Sequence, residues 1–119
     1  MKQLDLAKLN EKIEQMVKDR DWDQFHSVKN LSMALSIESS ELMEIFQWLT
    51  EEESNNIKDN QKKKAQLEDE VADIFVYLLR IVSKNGIDLE QAVLNKLEKN
   101  CAKYPIESAK GNAKKYNEF

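Results

Sequence analysis

The sequence predicts an all-α fold, a four-helix bundle-like domain spanning residues 1–119, and three observations carry that expectation. Only two Gly and one Pro occur in 119 residues, too few chain breakers for the many turns of a sandwich or barrel. Apolar residues recur at three- and four-residue spacing through most of the chain, the period of one helix face. Charged residues make up 34% and hydrophobic residues 41%, as expected of polar helix faces around a thin core.

The elements follow in order. Leu6, Leu9, Ile13, Met16 and Val17 mark a first helix over roughly the first twenty residues, and Arg20 to His26 breaks its pattern as a connection. Ser27 caps a second helix, whose seam of Val28, Leu31, Leu35, Leu42, Ile45 and Leu49 is interrupted by Glu38. Thr50 and Glu53 have the spacing of a capping box for a short polar helix, inside a charged, solvated excursion from Glu51 to Lys64. A third helix carries Leu67, Val71, Ile74, Leu78 and Ile81 and stops at Asn85-Gly86. Asp88 with Gln91 opens a fourth helix through Val93, Leu94 and Leu97, ending before Pro105. Residues 105–119 form a polar, basic tail that orders on binding.

Ala72, Ile74, Phe75, Val76, Leu78, Leu79 and Val82 surround the axis of the third helix. A helix apolar all round must be covered on several sides, which predicts a homo-oligomer, a dimer or a tetramer. The net charge of −4 argues against a nucleic-acid partner, which needs a basic stripe. Val71 to Val82, the longest apolar-rich run, contains Asp73 and Arg80 and is too short to span a membrane. The N-terminus lacks an apolar signal segment, and the single Cys101 fits a reducing compartment, so a cytoplasmic location is expected.

The sharpest pattern is Glu38-Ser-Ser-Glu41 on the second helix and Glu70-Val-Ala-Asp73 on the third. Residues three apart share a helix face, so two such pairs on packed helices bring four carboxylates to one point. Acidic surface is the commoner origin of such residues, but surface acids usually have basic neighbours, as Glu68 has Lys64. None of these four has a Lys or Arg three or four residues away. Unpaired like charges destabilise a helix, and an apolar seam adds a desolvation cost. A bound dication removes both problems. All-oxygen ligands select Mg²⁺, with Mn²⁺ as a substitute. Zinc is disfavoured by a single His and a single Cys, and a carboxylate-bridged di-iron site fails because no Glu lies three residues before His26. Glu44 continues the Glu41 row either as a fifth metal-facing acid or as a solvated residue.

Magnesium on carboxylates commonly serves to hold phosphates. With only Gly86 and Gly111 no glycine-rich phosphate loop can form, so side chains must meet the phosphate charge. Between Lys96 and Lys115 six lysines face two glutamates, either a solvated tail or a phosphate-binding one. Trp48 lies seven residues after Glu41 and Tyr77 four after Asp73 and seven after Glu70, while Trp22 and His26 lead into the second helix. Aromatic side chains at these positions serve a core, but beside a polyphosphate site they also suit a stacked base.

Taken together, Glu38-x-x-Glu41, a spacer of 28 residues and Glu70-x-x-Asp73 resemble the signature of the all-α, MazG-type nucleotide pyrophosphohydrolases. Arg20-Asp-Trp22-Asp-Gln-Phe25-His26, Asn30-Leu31, Glu44-Ile-Phe46-Gln47-Trp48, the stretch from Asp88 through Asn100 to Tyr104-Pro105, and Lys114-Lys115-Tyr116 look like the dCTP pyrophosphatase branch. The chain departs from that pattern in Ser-Ser between the first two glutamates and in an Asn-rich, acidic linker over residues 51–60. The resemblance implies hydrolysis of a nucleoside triphosphate, dCTP or a modified dCTP, to the monophosphate and pyrophosphate. It implies Glu38, Glu41, Glu70 and Asp73 as Mg²⁺ ligands, with Glu38 or Glu41 also acting as the catalytic base. Trp22, His26, Trp48, Tyr77 and Asn100 would hold base and sugar, and Lys103, Tyr104, Lys110 and Lys115 would contact phosphate. The same chemistry on dUTP, phosphoribosyl-ATP or another triphosphate stays open, as does a non-enzymatic helical partner protein stabilised by metal.

Overall fold

A computed structural model describes residues 1–119, all helices and turns with no strand. The long helices are α1 (Leu6–Asp19), α2 (Val28–Phe46), α4 (Gln61–Lys84) and α5 (Leu89–Lys103), with short helices α3 (Glu51–Asn55) and α6 (Ile106–Ala109). Each long helix starts at a polar side chain that accepts from a backbone N–H of its first turn. Asp5 accepts from Lys8 at 3.1 Å, Ser27 from Asn30 at 3.1 Å, Asn60 from Lys63 at 3.1 Å and Asp88 from Gln91 at 3.0 Å. The expected capping box at α3 is complete: Glu53 N donates to Thr50 Oγ1 at 3.1 Å, and Thr50 N to Glu53 Oε1 at 3.0 Å.

Contacts gather the chain into two compact units, Met1–Asn85 and Gly86–Phe119. In the first, α2 packs along α4 and α1 joins α4. Val17, Leu31, Leu79 and Val82 are its buried apolar side chains, each stabilising the fold by about 1.5–3 kcal/mol through burial. This core is thin. Met33, Ile37, Met43 and Val71 all remain about half exposed. In the second unit Tyr104 meets Tyr116 and Phe119 edge-on, with ring centroids 6.3 and 5.8 Å apart, and Lys103 Nζ sits 5.0 Å from the Tyr116 ring centre. No helix is long and apolar enough to cross a membrane.

Three local features differ from expectation. The helix expected from Leu67 begins at Gln61, because Asn60 supplies a cap and the first turn that follows is polar, with Lys62 and Lys64 exposed. The tail, read only as polar and basic, carries α6 and a 3₁₀ turn at Tyr116–Glu118, with Tyr116 and Phe119 edge-on to Tyr104. Finally, α2 ends at Phe46, so the row from Glu41 breaks before Trp48, which stands 87% exposed in the following turn.

A carboxylate triad beside an aromatic cavity

The packing of α2 on α4 brings Glu38, Glu41 and Glu70 together, with one carboxylate oxygen of each within 4.8 Å of the others. Glu38 and Glu70 are half-buried and Glu41 is exposed. Ser39 and Ser40, between the two glutamates, donate back to the carbonyls of Leu35 and Ser36 at 2.9 and 3.0 Å. The ion pairs of the chain both belong to Asp23. Glu38 Oε2 and Glu70 Oε2 are shut away from solvent with no hydrogen-bond partner. Burial, then the neighbouring Glu70 and Glu41 carboxylates, push the Glu38 carboxyl up to about 7. Orphaned, mutually repelling oxygens on a rigid helix pair fit a hard dication, which would satisfy the free lone pairs and cancel the repulsion.

Asp73, the fourth expected acid, is exposed and stands outside this triad, although its charge also reaches Glu38. It lines a neighbouring cavity of about 320 Å³ with Met16, Trp22, His26, Val76, Tyr77 and Arg80. Three of the expected aromatic residues therefore share one cavity. Burial raises the Tyr77 hydroxyl, and the charges of Glu38 and Asp73 raise it further, so the phenol stays neutral. Burial also lowers His26, as does the Arg80 charge, which favours a neutral imidazole, and its Nδ1 is buried without a partner.

The Trp22–His26 wall is fixed from both ends. At the end of α1, Trp22 N donates to the Val17 carbonyl at 3.0 Å and Asp21 N to the Lys18 carbonyl at 3.1 Å, with Asp21 at φ +52°. That is a Schellman stop with Asp in the left-handed position usually given to Gly, and Trp22 and Val17, joined by it, line the same cavity. A 3₁₀ turn, Asp23–Phe25, follows, and Asn30 Nδ2 holds the Phe25 carbonyl at 3.1 Å. Arg80 of α4, only 5% exposed, donates to Asp23 Oδ1 at 2.7 Å, and Lys84 donates to the same oxygen at 2.9 Å. These bonds from Lys84 and Arg80 hold the Asp23 carboxyl below its usual range. In the sequence Arg80 is merely a charge interrupting an apolar run; its pairing with Asp23, 57 residues away, is a tertiary fact.

Trp48 lines neither this cavity nor the pocket on the other flank of the triad. That second pocket, of about 370 Å³, is lined by Glu41, Glu44, Ile45, Lys63, Gln66 and Glu70, so Glu44 lies beside the triad. Lys63 escapes a search confined to neighbours three or four residues away because it precedes Glu70 by two full turns. Asn100, Lys103, Tyr104, Lys110 and Lys115 belong to the second unit. There Lys103 and Tyr104 engage the aromatic cluster, and Asn100 is half-buried.

Residues 33–119 match the MazG-like family. The chain is 40% identical over 101 residues to dCTP pyrophosphatase 1 of Bos taurus and 38% identical over 101 residues to that of Homo sapiens. Each match covers 85% of this chain, which spans about 60% of the length of these curated relatives. Among solved structures, a pyrophosphatase from Archaeoglobus fulgidus superposes with a TM-score of 0.76 at 33% identity, covering 88% of this chain and 96% of the other.

Proposed function

The chain belongs to the MazG-like family, and from that premise we propose that it is a divalent-metal-dependent nucleoside triphosphate pyrophosphohydrolase acting on dCTP or a modified dCTP. The observation that carries the proposal is the triad of Glu38, Glu41 and Glu70, with two orphaned buried oxygens, flanked by an aromatic cavity. The similarity to dCTP pyrophosphatase 1 of Bos taurus and Homo sapiens supports dCTP as the substrate.

Glu38, Glu41 and Glu70, with Asp73 beside them, would hold Mg²⁺ or, in its place, Mn²⁺; bound there, the cation supplies neutralisation of phosphate charge. Glu38 or Glu41 accepts a proton from the water whose oxygen bonds to the α-phosphorus. The bond from that phosphorus to the β-bridging oxygen breaks, and the electron pair leaves with pyrophosphate. Trp22 and Tyr77 offer flat faces to a base, neutral His26 offers a hydrogen-bonding edge, and the Asp23–Arg80 pair keeps that wall in register. Clearing unwanted nucleotides from the cytoplasmic pool is the corresponding role. The thin core and the half-exposed Met33, Ile37 and Met43 on α2 support assembly into a dimer or tetramer.

A panel of nucleoside triphosphates with Mg²⁺ tests this. Pyrophosphate and monophosphate in equal amounts, fastest from dCTP and abolished by chelator, are expected. Preference for dUTP or another triphosphate would overturn the substrate assignment alone. No metal-dependent pyrophosphate from any triphosphate would overturn the activity and favour a non-enzymatic helical partner protein.

A further inference from the structure

The pocket on the far flank of the triad holds a feature that metal binding leaves unexplained. Lys63 is its only cation, among Glu41, Glu44 and Glu70. It is half-buried, yet forms no ion pair with any of them. Its backbone N–H serves the Asn60 cap, so its side chain is not needed to start α4.

Lys63, Gln66, Glu70, Asp73 and Tyr77 follow one another at spacings of three and four along α4, which places them on one helix face. Along that face come a cation and an amide, then carboxylates, then an aromatic ring at the base cavity. From Lys63 to Tyr77 the helix rises about 21 Å, and from Lys63 to Glu70 about 10 Å. A nucleoside triphosphate has its base at one end and its β- and γ-phosphates at the other. With the base beside Tyr77 and the α-phosphate at the carboxylates, the last two phosphates point toward Lys63. Charge builds on them as the bond to the α-phosphorus breaks, and a cation there gains strength as the reaction proceeds.

We propose that Lys63, with Gln66 donating beside it, binds the β,γ-diphosphate of the substrate and stabilises pyrophosphate as it departs. The assignment rests on the pyrophosphohydrolase reading and gives the substrate a direction along α4. The competing role for Lys63 is to temper the acids around it, including Glu53, which lines a further pocket with it and whose carboxyl is lowered first by its bonds with Thr50 and only then by the Lys63 charge.

Calorimetric titration with magnesium pyrophosphate and, separately, with dCMP plus Mg²⁺ distinguishes the two. Lys63→Met should weaken pyrophosphate binding roughly 10- to 100-fold, the worth of a charge-assisted contact. Binding of dCMP and the melting temperature should hold, and Lys63→Arg should restore most of the loss. Unchanged pyrophosphate binding in Lys63→Met, equal loss of pyrophosphate and dCMP, or a wild-type chain that binds no magnesium pyrophosphate would each overturn the proposal. Lys63-dependent pyrophosphate binding in a chain that hydrolyses no triphosphate would support the diphosphate site while removing the activity.

Discussion

Replacing Glu38 by Gln keeps the shape of the side chain and removes one charge from three carboxylates that lie within 4.8 Å. At that separation two ionised carboxylates repel by about 1 kcal/mol in water and about 3–4 kcal/mol at an effective dielectric of ~20. Glu38 is half-buried, so relief of about 1–3 kcal/mol is expected in the metal-free protein. The low end corresponds to roughly 3–6 °C in melting temperature for a chain of this size. The gain depends on pH, with a definite sign. The folded protein raises the Glu38 carboxyl from 4.5 to about 7, so it binds that proton more tightly than the unfolded chain does. The associated stability is fully present below about 4.5 and is lost as pH rises through about 7. The advantage of Glu38→Gln should therefore open between those values and be complete at pH ~8. Differential scanning fluorimetry of chelator-treated proteins across that range measures it. Added Mg²⁺ should then stabilise the wild type and leave the variant nearly unmoved, and the variant should release no pyrophosphate. A variant that melts below the wild type at pH ~8, or that gains equally from Mg²⁺, would refute a repulsive, metal-relieved triad.

Three further outcomes are expected. Trp48→Ala should leave the melting temperature almost unchanged, because the side chain is 87% exposed, while raising KM for dCTP severalfold if Trp48 contacts the base; a fall in stability with KM unchanged would return Trp48 to packing. Asp23→Asn frees Arg80 and Lys84 and should lower stability and raise KM more than it lowers kcat. Because the Asp23 carboxyl is held below 3.8, its stabilisation is present above that value, and the melting gap to the wild type should close as pH falls below it. Light scattering should give a mass that is a multiple of 13.9 kDa, and a folded monomer would contradict the assembly inferred from the exposed α2 face.

The helices were legible because their ends are written locally. Ser27, the Thr50–Glu53 box, Asp88 with Gln91, and Asn85-Gly86 each act within a turn of their own position; Gly86 at φ +59° takes the left-handed stop that ends α4. The start of α4 was hidden because Asn60 precedes a polar turn without apolar periodicity. The pairing of α2 with α4 was legible as two unpaired acidic rows, which made Glu38, Glu41 and Glu70 visible together. Asp73 shares the Glu70 row, and spacing alone cannot tell that it also lines the aromatic cavity. The Asp23–Arg80 tie and the position of Lys63 depend on how elements pack, so a local search of three or four residues passes over both.

The central claim is that α2 and α4 hold a dication on Glu38, Glu41 and Glu70. Anomalous diffraction from crystals soaked in Mn²⁺ tests it most directly. The account predicts a manganese peak bounded by those three carboxylates, lost in Glu70→Gln. Manganese bound elsewhere, or none, in crystals of a protein that still releases pyrophosphate with Mg²⁺ would contradict it.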